Sequence, residues 1–213
     1  MQINTARLRA VLGWLAILLP IIVSALAFFT GFLDGHFIPS SISATYYLEP
    51  CITPFMIILG AASILLICYK GYDRQDDIIC TISGIFGLGI CLFPCAATYD
   101  KVVGTFQIAT NISGWLHNIS AIVFFGLLAY TSFFLFTKGG PNPTENKKKR
   151  NIIFRVCGIG MMASFLLLIP FGIFNVWGGT WIMEAIALAF FGISWLTKSD
   201  LYPWLFCDTP YVD

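Results

Sequence analysis

Residues 177–196 form an uninterrupted run of twenty residues, WGGTWIMEAIALAFFGISWL, in which Glu184 carries the only charge. About twenty mainly apolar residues is the length at which a helix crosses the hydrocarbon core of a bilayer. An ionisable side chain inside such a helix costs roughly 3 kcal/mol to insert, so it is retained where it has a partner or a function. The run therefore predicts a transmembrane helix that carries one carboxyl group into a helix bundle.

Composition places the whole chain in the same class. Of its 213 residues, 58% are apolar and 11% are charged, whereas soluble domains average about 25% charged residues. We predict an all-α polytopic membrane protein, a bundle of six transmembrane helices that forms a single membrane domain over residues 1–213. The predicted spans cover residues 11–29, 51–69, 78–96, 116–136, 152–174 and 177–196.

Lysine and arginine are distributed unevenly between the loops. With six spans, eleven of the twelve basic residues fall on the side that holds both termini, and Lys101 alone falls on the other side. Cytoplasmic loops of membrane proteins carry the excess of basic residues. We therefore predict a multi-pass protein of the cell inner membrane with both termini cytoplasmic.

The predicted outer half of the bundle gathers the polar side chains that are candidates for a binding site. Loop 1, defined here as residues 31–49, contains SSISATYY and has no basic residue. On the last span, the indole N–H groups of Trp177 and Trp181 share a helical face with the carboxyl group of Glu184 and are expected to flank it. We predict a polar pocket that binds a lipid or small amphiphile and is lined by Ser41, Ser43, Tyr47, Asp100, His117, Trp181 and Glu184.

Each of these groups also has a structural interpretation. The hydroxyl groups of loop 1 either bond a lipid headgroup or a sugar, or satisfy the backbone of a re-entrant cap. Glu184 is either a proton-exchanging or ligand-binding group, or a carboxyl group that fixes helix packing. His117, in the first turn of span 4, is either a ligand or base, or an interfacial histidine bonded to a loop carbonyl. A nucleophilic role for Ser41 or Ser43 lacks the elbow motif that surrounds such serines.

A metal site is an alternative use of the same residues. Zinc takes three or four nitrogen, oxygen or sulfur ligands. The available set is His36, His117 and Glu184, with Asp34 and Asp100 on the same predicted side. Neither HxxxH nor HExxH spacing occurs in the sequence. Zinc is therefore compatible with the sequence without being required by it.

Two cysteines, Cys51 and Cys95, map to the predicted outer ends of spans 2 and 3. Because the outer face of a cell membrane can be oxidising, we predict a disulfide between them. The other five cysteines are interpreted as small apolar residues or free thiols.

Small residues recur along two predicted spans. Ser83, Gly87 and Cys91 share a face of span 3, and Gly158 and Gly160 lie on span 5. Such faces let helices approach closely, either inside the bundle or between copies in a homo-oligomer. No basic stripe with interleaved aromatic residues suggests nucleic acid as a partner. Membrane lipid is the partner that we expect.

Three motifs give the chain a recognisable layout: PSSISATYY before span 2, KGYDRQDD after it, and LHNISA at the start of span 4. In this layout the chain is similar to small uncharacterised bacterial six-span membrane proteins. More distantly, it resembles the DRAM-like (damage-regulated autophagy modulator) superfamily. The resemblance implies the six-span topology and a lipid-associated role without established catalysis, and it assigns Ser41, Ser43 and His117 to family-type positions.

Three functions fit the sequence. The first is the binding of a lipid or amphiphile without catalysis. The second is a metal-dependent, membrane-embedded hydrolase that acts on a lipid through His36, His117, Asp100 and Glu184. The third is a proton-coupled small-molecule transporter in which Glu184 carries the proton, although no inverted repeat of the kind common in transporters is detectable.

Overall fold

The computed structural model describes residues 5–33, 35–97, 101–174 and 176–207. These residues form six α-helices that are long and apolar enough to cross a membrane, which confirms the predicted fold class. The helices are α1 (Thr5–Phe29), α2 (Glu49–Cys68), α3 (Arg74–Leu92), α4 (Thr110–Tyr130), α5 (Glu145–Ile173) and α6 (Gly179–Ser199). A π-helical segment, Thr131–Leu135, prolongs α4.

The six helices form a closed ring. Each helix packs against the next one along the chain, and α6 closes the ring by packing against α1. Since successive helices alternate in direction, loop 1 and the α3–α4 and α5–α6 connections share one end, which we call the loop-1 end. The start of α1, the end of α6 and the other two connections share the opposite end, which we call the basic end.

Large apolar side chains cover the outer surface of the ring. Ile57 and Ile64 on α2, and Leu166 and Ile169 on α5, are each more than half exposed. Soluble monomers rarely expose large contiguous apolar surfaces of this kind. Together with the lengths of the six helices, this surface defines the chain as a multi-pass membrane protein.

Side-chain caps set the starts of α3 and α5 at the basic end. The carboxylate of Asp73 accepts a hydrogen bond from the amide of Asp76 at 3.1 Å, and the hydroxyl of Thr144 accepts one from the amide of Lys147 at 3.0 Å. Such caps satisfy amide groups that have no partner within the helix. Both helices therefore begin earlier than predicted, because a capped, charged first turn precedes the apolar part of each span.

The start of α4 also differs from the prediction. The helix begins at Thr110 rather than near residue 116, so His117 lies about two turns inside it. The polar residues of the first turns are bonded to the chain that follows α3: Thr110 accepts from the amide of Ala97 at 2.8 Å, and Ser113 donates to the carbonyl of Pro94 at 2.7 Å. These bonds allow a polar sequence to be helical there. A short antiparallel hairpin, β1 (Val102–Val103) with β2 (Ile108–Ala109), precedes the helix.

The small-residue faces of spans 3 and 5 pack inside the bundle. A Cβ added to Gly87 would lie 2.3 Å from the hydroxyl of Ser63 on α2, and one added to Gly158 would lie 2.8 Å from the Cβ of Phe133. Of the two alternatives that the sequence left open, these glycines therefore serve close packing within one chain. The predicted homo-oligomer stays a prediction.

Lys138 joins two connections at the basic end. Its ammonium group donates to Asp73 and to Asp76, each at 2.8 Å, and so links the α2–α3 turn to the end of the fourth span. The hydrogen bond from Lys138 lowers the pKa of Asp73 below its ordinary value. Burial acts to lower the pKa of Lys138, but its bonds to the two carboxylates outweigh that effect and raise the pKa.

We expect Lys138→Met to lower the free energy of unfolding at neutral pH by about 1–2 kcal/mol, the value of a partly buried charged hydrogen bond. A depressed pKa means that Asp73 stabilises the fold above its ordinary pKa of about 3.9 and ceases to do so as the pH falls through the lower folded value. The stability difference between variant and wild type should therefore be constant from pH 6 to pH 8 and should shrink in acid.

Thermal unfolding of the purified protein as a function of pH measures both quantities. Lys148→Met is the matched control, because Lys148 pairs with the exposed Glu145 at 2.7 Å and surface pairs contribute about 0.5 kcal/mol or less. An equal loss of unfolding free energy in Lys138→Met and Lys148→Met would contradict the proposed stabilising role of the Lys138 ion pairs.

Candidate functional site at the loop-1 end

Glu184 of α6 is the centre of a hydrogen-bond network. Its carboxylate accepts from the hydroxyl of Ser41 at 2.9 and 3.0 Å and from the amide of Ile42 at 2.6 Å, and it lies 3.4 Å from the hydroxyl of Ser43. Among the described residues, all of these partners belong to loop 1. The carboxylate therefore attaches this loop to the bundle.

Loop 1 is folded so that it can supply these donors. Residues Ser43–Tyr47 form a 3-10 helix, and the hydroxyl of Ser41 accepts from the amide of Ser43 at 3.1 Å, which turns the chain just before it. The buried hydroxyl of Thr45 donates to the carbonyl of Ile42 at 2.6 Å. The hydroxyls of Ser41 and Thr45 thus partly satisfy the loop's own backbone, and the loop caps this end of the bundle.

Ser43 also contacts His117 of α4. The Nε2 atom of His117 lies 3.1 Å from the Ser43 hydroxyl, and its Nδ1 atom lies 2.9 Å from the carbonyl oxygen of Phe93. Because a carbonyl can only accept, Nδ1 carries a hydrogen. Nε2 therefore accepts from Ser43 when the imidazole is neutral and donates to Ser43 when it is protonated. The helical position of His117, two turns into α4, places it level with the cap.

Glu184, Ser43 and His117 thus form a chain across three elements through which one proton can be shared. In one arrangement His117 is cationic and donates to Ser43, and Ser43 donates to the Glu184 carboxylate. In the other, a neutral Glu184 donates its proton to Ser43, and Ser43 donates to neutral His117. The two arrangements contain the same number of protons and differ only in where the charges lie.

The tryptophans do not donate to Glu184, and this corrects the expectation that their indoles flank it. The indole of Trp181 donates to the hydroxyl of Ser24 on α1 at 2.8 Å, and the indole of Trp177 donates to the carbonyl of Ile38 at 3.1 Å. The backbone amide of Trp181 donates to the carbonyl of Ser40 at 3.2 Å. Trp177 and Trp181 therefore hold the start of the cap beside Glu184. The sequence analysis did not identify Ser24 as part of this site. Its hydroxyl, alone in the apolar run of span 1, is the signal that could have indicated it.

Tyr47 and Cys95 meet at the other side of the cap. The phenol of Tyr47 donates to the backbone carbonyl of Cys95. Both Cys51 and Cys95 are free thiols, so the predicted disulfide is absent. Cys51 is buried on α2, and its thiol donates to the carbonyl of Val23 at 3.3 Å. The disulfide does not form because the thiol of Cys51 faces α1, whereas Cys95 lies in the segment that follows α3.

The predicted metal ligands are not brought together as a set. His36 stacks on Trp177 with ring centroids 4.0 Å apart, whereas Glu184 and His117 are joined through Ser43. Within residues 5–33, 35–97, 101–174 and 176–207 there is no group of three His, Cys, Asp or Glu residues that could hold a metal ion. Asp34 and Asp100 lie outside the described residues.

Two pockets in the described part of the chain are lined by residues other than Glu184. One is at the basic end, and the other is an apolar groove between α4 and α5 that includes Ala129, Phe133 and Gly158. The polar groups at the loop-1 end are instead bonded to one another. What the structure shows there is a hydrogen-bonded cap formed by loop 1.

The six apolar helices place the chain in the class of multi-pass membrane proteins. Its distinguishing feature is the carboxylate of Glu184, which holds loop 1 against α6. Comparison with protein-family models, curated proteins and solved structures finds no match for this chain. The resemblance to the DRAM-like superfamily therefore stays a prediction.

Proposed function

We propose that this membrane protein binds a lipid or small amphiphile at the loop-1 end without catalysis, and that a proton on Glu184 controls access by releasing loop 1. The observation that carries the proposal is that the described partners of this carboxylate all lie in one loop. A purely structural attachment works with any neutral acceptor. A group that titrates makes the attachment responsive to pH.

Protonation weakens the attachment for a simple reason. Hydrogen bonds to an ionised acceptor are roughly twice as strong as those between neutral groups. The amide of Ile42 and the hydroxyl of Ser41 both donate to the carboxylate, and both bonds lose strength when it is neutral. Among the described residues, His117 is joined to Glu184 through Ser43, and the thiol of Cys95 interacts electrostatically with the carboxylate. His117 is therefore the group that can deliver or remove the proton through Ser43.

The surroundings of the cap favour an amphiphile as the ligand. Phe28 at the end of α1 stacks on Phe37 of loop 1 with centroids 6.0 Å apart, and Phe29 and Phe37 are each more than four-fifths exposed. Exposed phenylalanine rings are apolar and suit contact with hydrocarbon at the boundary between lipid and water. A cap that moves at this boundary uncovers serine hydroxyls beside apolar surface, which suits a molecule with a polar head and an apolar tail.

A hydrolase that uses Ser43 as its nucleophile fits the geometry less well than binding does. Ser43 and His117 are within the distance of a nucleophile–base pair, but acyl transfer also needs donors for the developing oxyanion. The amides of Ile42 and Ser43 are already bonded to Glu184 and Ser41. A carboxylate next to Ser43 would in addition repel the negative charge that forms during attack.

Proton-coupled transport is the second candidate, because the chain from Glu184 through Ser43 to His117 links α6, loop 1 and α4. It differs from binding in one measurable respect. In proteoliposomes a transporter would acidify or alkalinise the lumen as its substrate moves, whereas a binding protein would not.

We propose that the protein lies in the cell inner membrane with both termini in the cytoplasm. The support is the excess of lysine and arginine at the basic end of the bundle. Reporter fusions at the two termini test this orientation.

The test of the proposed function is amide hydrogen exchange of residues 40–48 in nanodiscs at pH 5 and pH 8, corrected for intrinsic exchange rates. We expect wild-type loop 1 to open at least about tenfold more often at pH 5, which corresponds to a loss of about 1.4 kcal/mol in its attachment. Glu184→Gln has no charge at residue 184 at either pH. Loop 1 of this variant should therefore open as often at pH 5 and at pH 8 as loop 1 of the wild type opens at pH 5. The hairpin at residues 102–109 is the internal control.

Ligand access is measured in the same preparation with a diazirine-bearing fatty acid. We expect photolabelling of the loop-1 end to rise at pH 5 in the wild type and to be pH-independent in Glu184→Gln. If loop 1 opens at pH 5 without an increase in photolabelling, the proposed amphiphile binding is wrong, but control of loop 1 by the proton on Glu184 is still supported. Exchange of loop 1 that is unaffected by pH in the wild type would reject the proposal.

A further inference from the structure

The basic end of the bundle holds a pocket of about 580 Å³ that the site at Glu184 does not use. Four cationic side chains from three elements of the chain line it: Lys138 after the fourth span, Lys147 and Arg150 from α5, and Lys198 from α6. Pockets that hold small molecules in proteins have volumes of about 300–1,000 Å³. The size and the lining both point to an anionic occupant larger than a single ion.

Lys138 and Arg150 each form ion pairs with carboxylates of the described residues. Lys138 bonds Asp73 and Asp76, and Arg150 forms an ion pair with Asp200. Arg9 adds a further cation nearby, because its guanidinium donates to the carbonyl of Lys198 at 3.3 Å. Among the described residues that line the pocket, four are cationic and two, Asp73 and Asp200, carry carboxylates.

Lys198 is the cation that most requires a partner. It is partly buried near the end of α6, and its ammonium lies 5.2 Å from the ring centroid of Phe136. Among the described residues it forms no ion pair with a carboxylate. A charge held against apolar groups is costly unless a counter-charge compensates it. The ammonium of Lys198 lines the pocket, which is where such a counter-charge would sit.

We infer that this pocket binds a phosphate-bearing ligand, with Lys198 as a principal contact and Lys147 beside it. A phosphate group offers several charged acceptor oxygens, which match ammonium donors that converge from different helices. Two sources present this chemistry at the end of a transmembrane bundle: the headgroup of an anionic lipid and a soluble phosphate compound. Neither depends on the state of loop 1, so this site is independent of the proposed function.

The test is the thermal unfolding midpoint of the detergent-solubilised full-length protein, titrated with dioctanoyl phosphatidic acid, with dioctanoylglycerol, and with inorganic phosphate against chloride at equal ionic strength. We expect phosphatidic acid to raise the midpoint and dioctanoylglycerol, which has the same chains without phosphate, to leave it unchanged. A rise of equal size with inorganic phosphate assigns the site to soluble phosphate compounds. A rise with phosphatidic acid alone assigns it to a lipid headgroup.

Variants of Lys198 connect the effect to the pocket. Lys198→Met keeps the length of the side chain and removes its charge, and we expect about tenfold weaker apparent binding of phosphatidic acid, the loss typical of one charged hydrogen bond. Lys198→Arg should retain binding. Lys148→Met, the same change on an exposed lysine of the same basic run, should also retain it. Stabilisation by dioctanoylglycerol equal to that by phosphatidic acid, no stabilisation by either phosphate, or an equal loss in Lys148→Met would overturn the inference.

Discussion

Glu184→Ala should lower the free energy of unfolding by about 3 kcal/mol and detach loop 1 from the bundle. The substitution leaves the hydroxyl of Ser41 and the amide of Ile42 without their acceptor. A buried donor left unsatisfied costs about 1–3 kcal/mol. In Glu184→Ala both of these donors, the hydroxyl and the amide, lose their acceptor. Glu184→Gln, which retains an acceptor oxygen, should lose about 1.4 kcal/mol, the weakening expected of the wild-type attachment at pH 5. Thermal unfolding and proteolysis within loop 1 measure the two effects.

The control for Glu184→Ala is Glu49→Ala, because Glu49 is an exposed glutamate at the end of the same loop. We expect it to change stability by about 0.5 kcal/mol or less. If Glu184→Ala is as stable and as resistant to proteolysis as Glu49→Ala, the attachment of loop 1 through Glu184 is wrong. The proposed proton control would then be wrong as well.

Gly192→Ala should be the second damaging change, with a loss of about 2–3 kcal/mol. Helices α1 and α6 close the ring where Gly13 faces Gly192. A Cβ added to Gly192 would lie 2.8 Å from the carbonyl oxygen of Gly13 and 2.5 Å from Cγ1 of Ile17. Ile17 can change rotamer, but the backbone of α1 can only move away as a whole. The added methyl group therefore forces the two helices apart along the seam that closes the ring.

Gly60→Ala on α2 is the matched control, since a Cβ at Gly60 meets no atom within 4 Å. Alanine is favoured over glycine within a helix by about 0.5–1 kcal/mol, so this variant should be slightly more stable than the wild type. The two identical substitutions thus have opposite expected signs. The measurement is the thermal unfolding midpoint of each variant in the same detergent. Equal midpoints for Gly192→Ala and Gly60→Ala would contradict the close contact between Gly13 and Gly192.

Much of the candidate site follows from local features of the sequence. Glu184 stands out because it is a charge in an apolar run, and the serines of loop 1 and His117 stand out because they flank apolar runs on the same predicted side. The structure brings Ser41, Ser43, His117 and Glu184 into one network. Their partners could not be assigned from the sequence, because hydrogen bonding depends on the rotation of each helix about its axis.

The same limit explains what the sequence analysis missed. The basic pocket combines Lys138, Lys147, Arg150 and Lys198, whose separations along the chain give no sign that they meet. Gly13 and Gly192 are 179 positions apart and are brought together by the closure of the ring. Trp181 bonds Ser24 of α1 rather than the carboxylate three residues away on its own helix.

The sequence by itself determined the number of helices, their approximate spans and the membrane class. It could do so because burial of a span in lipid depends on the apolarity of about twenty consecutive residues and needs no neighbour. The tertiary structure alone decided the order of the ring, the hydrogen bonds that attach loop 1 to Glu184 and His117, and the convergence of cations at the basic end. Each of these depends on which helix faces of distant segments meet, and that is set by close packing across the whole bundle.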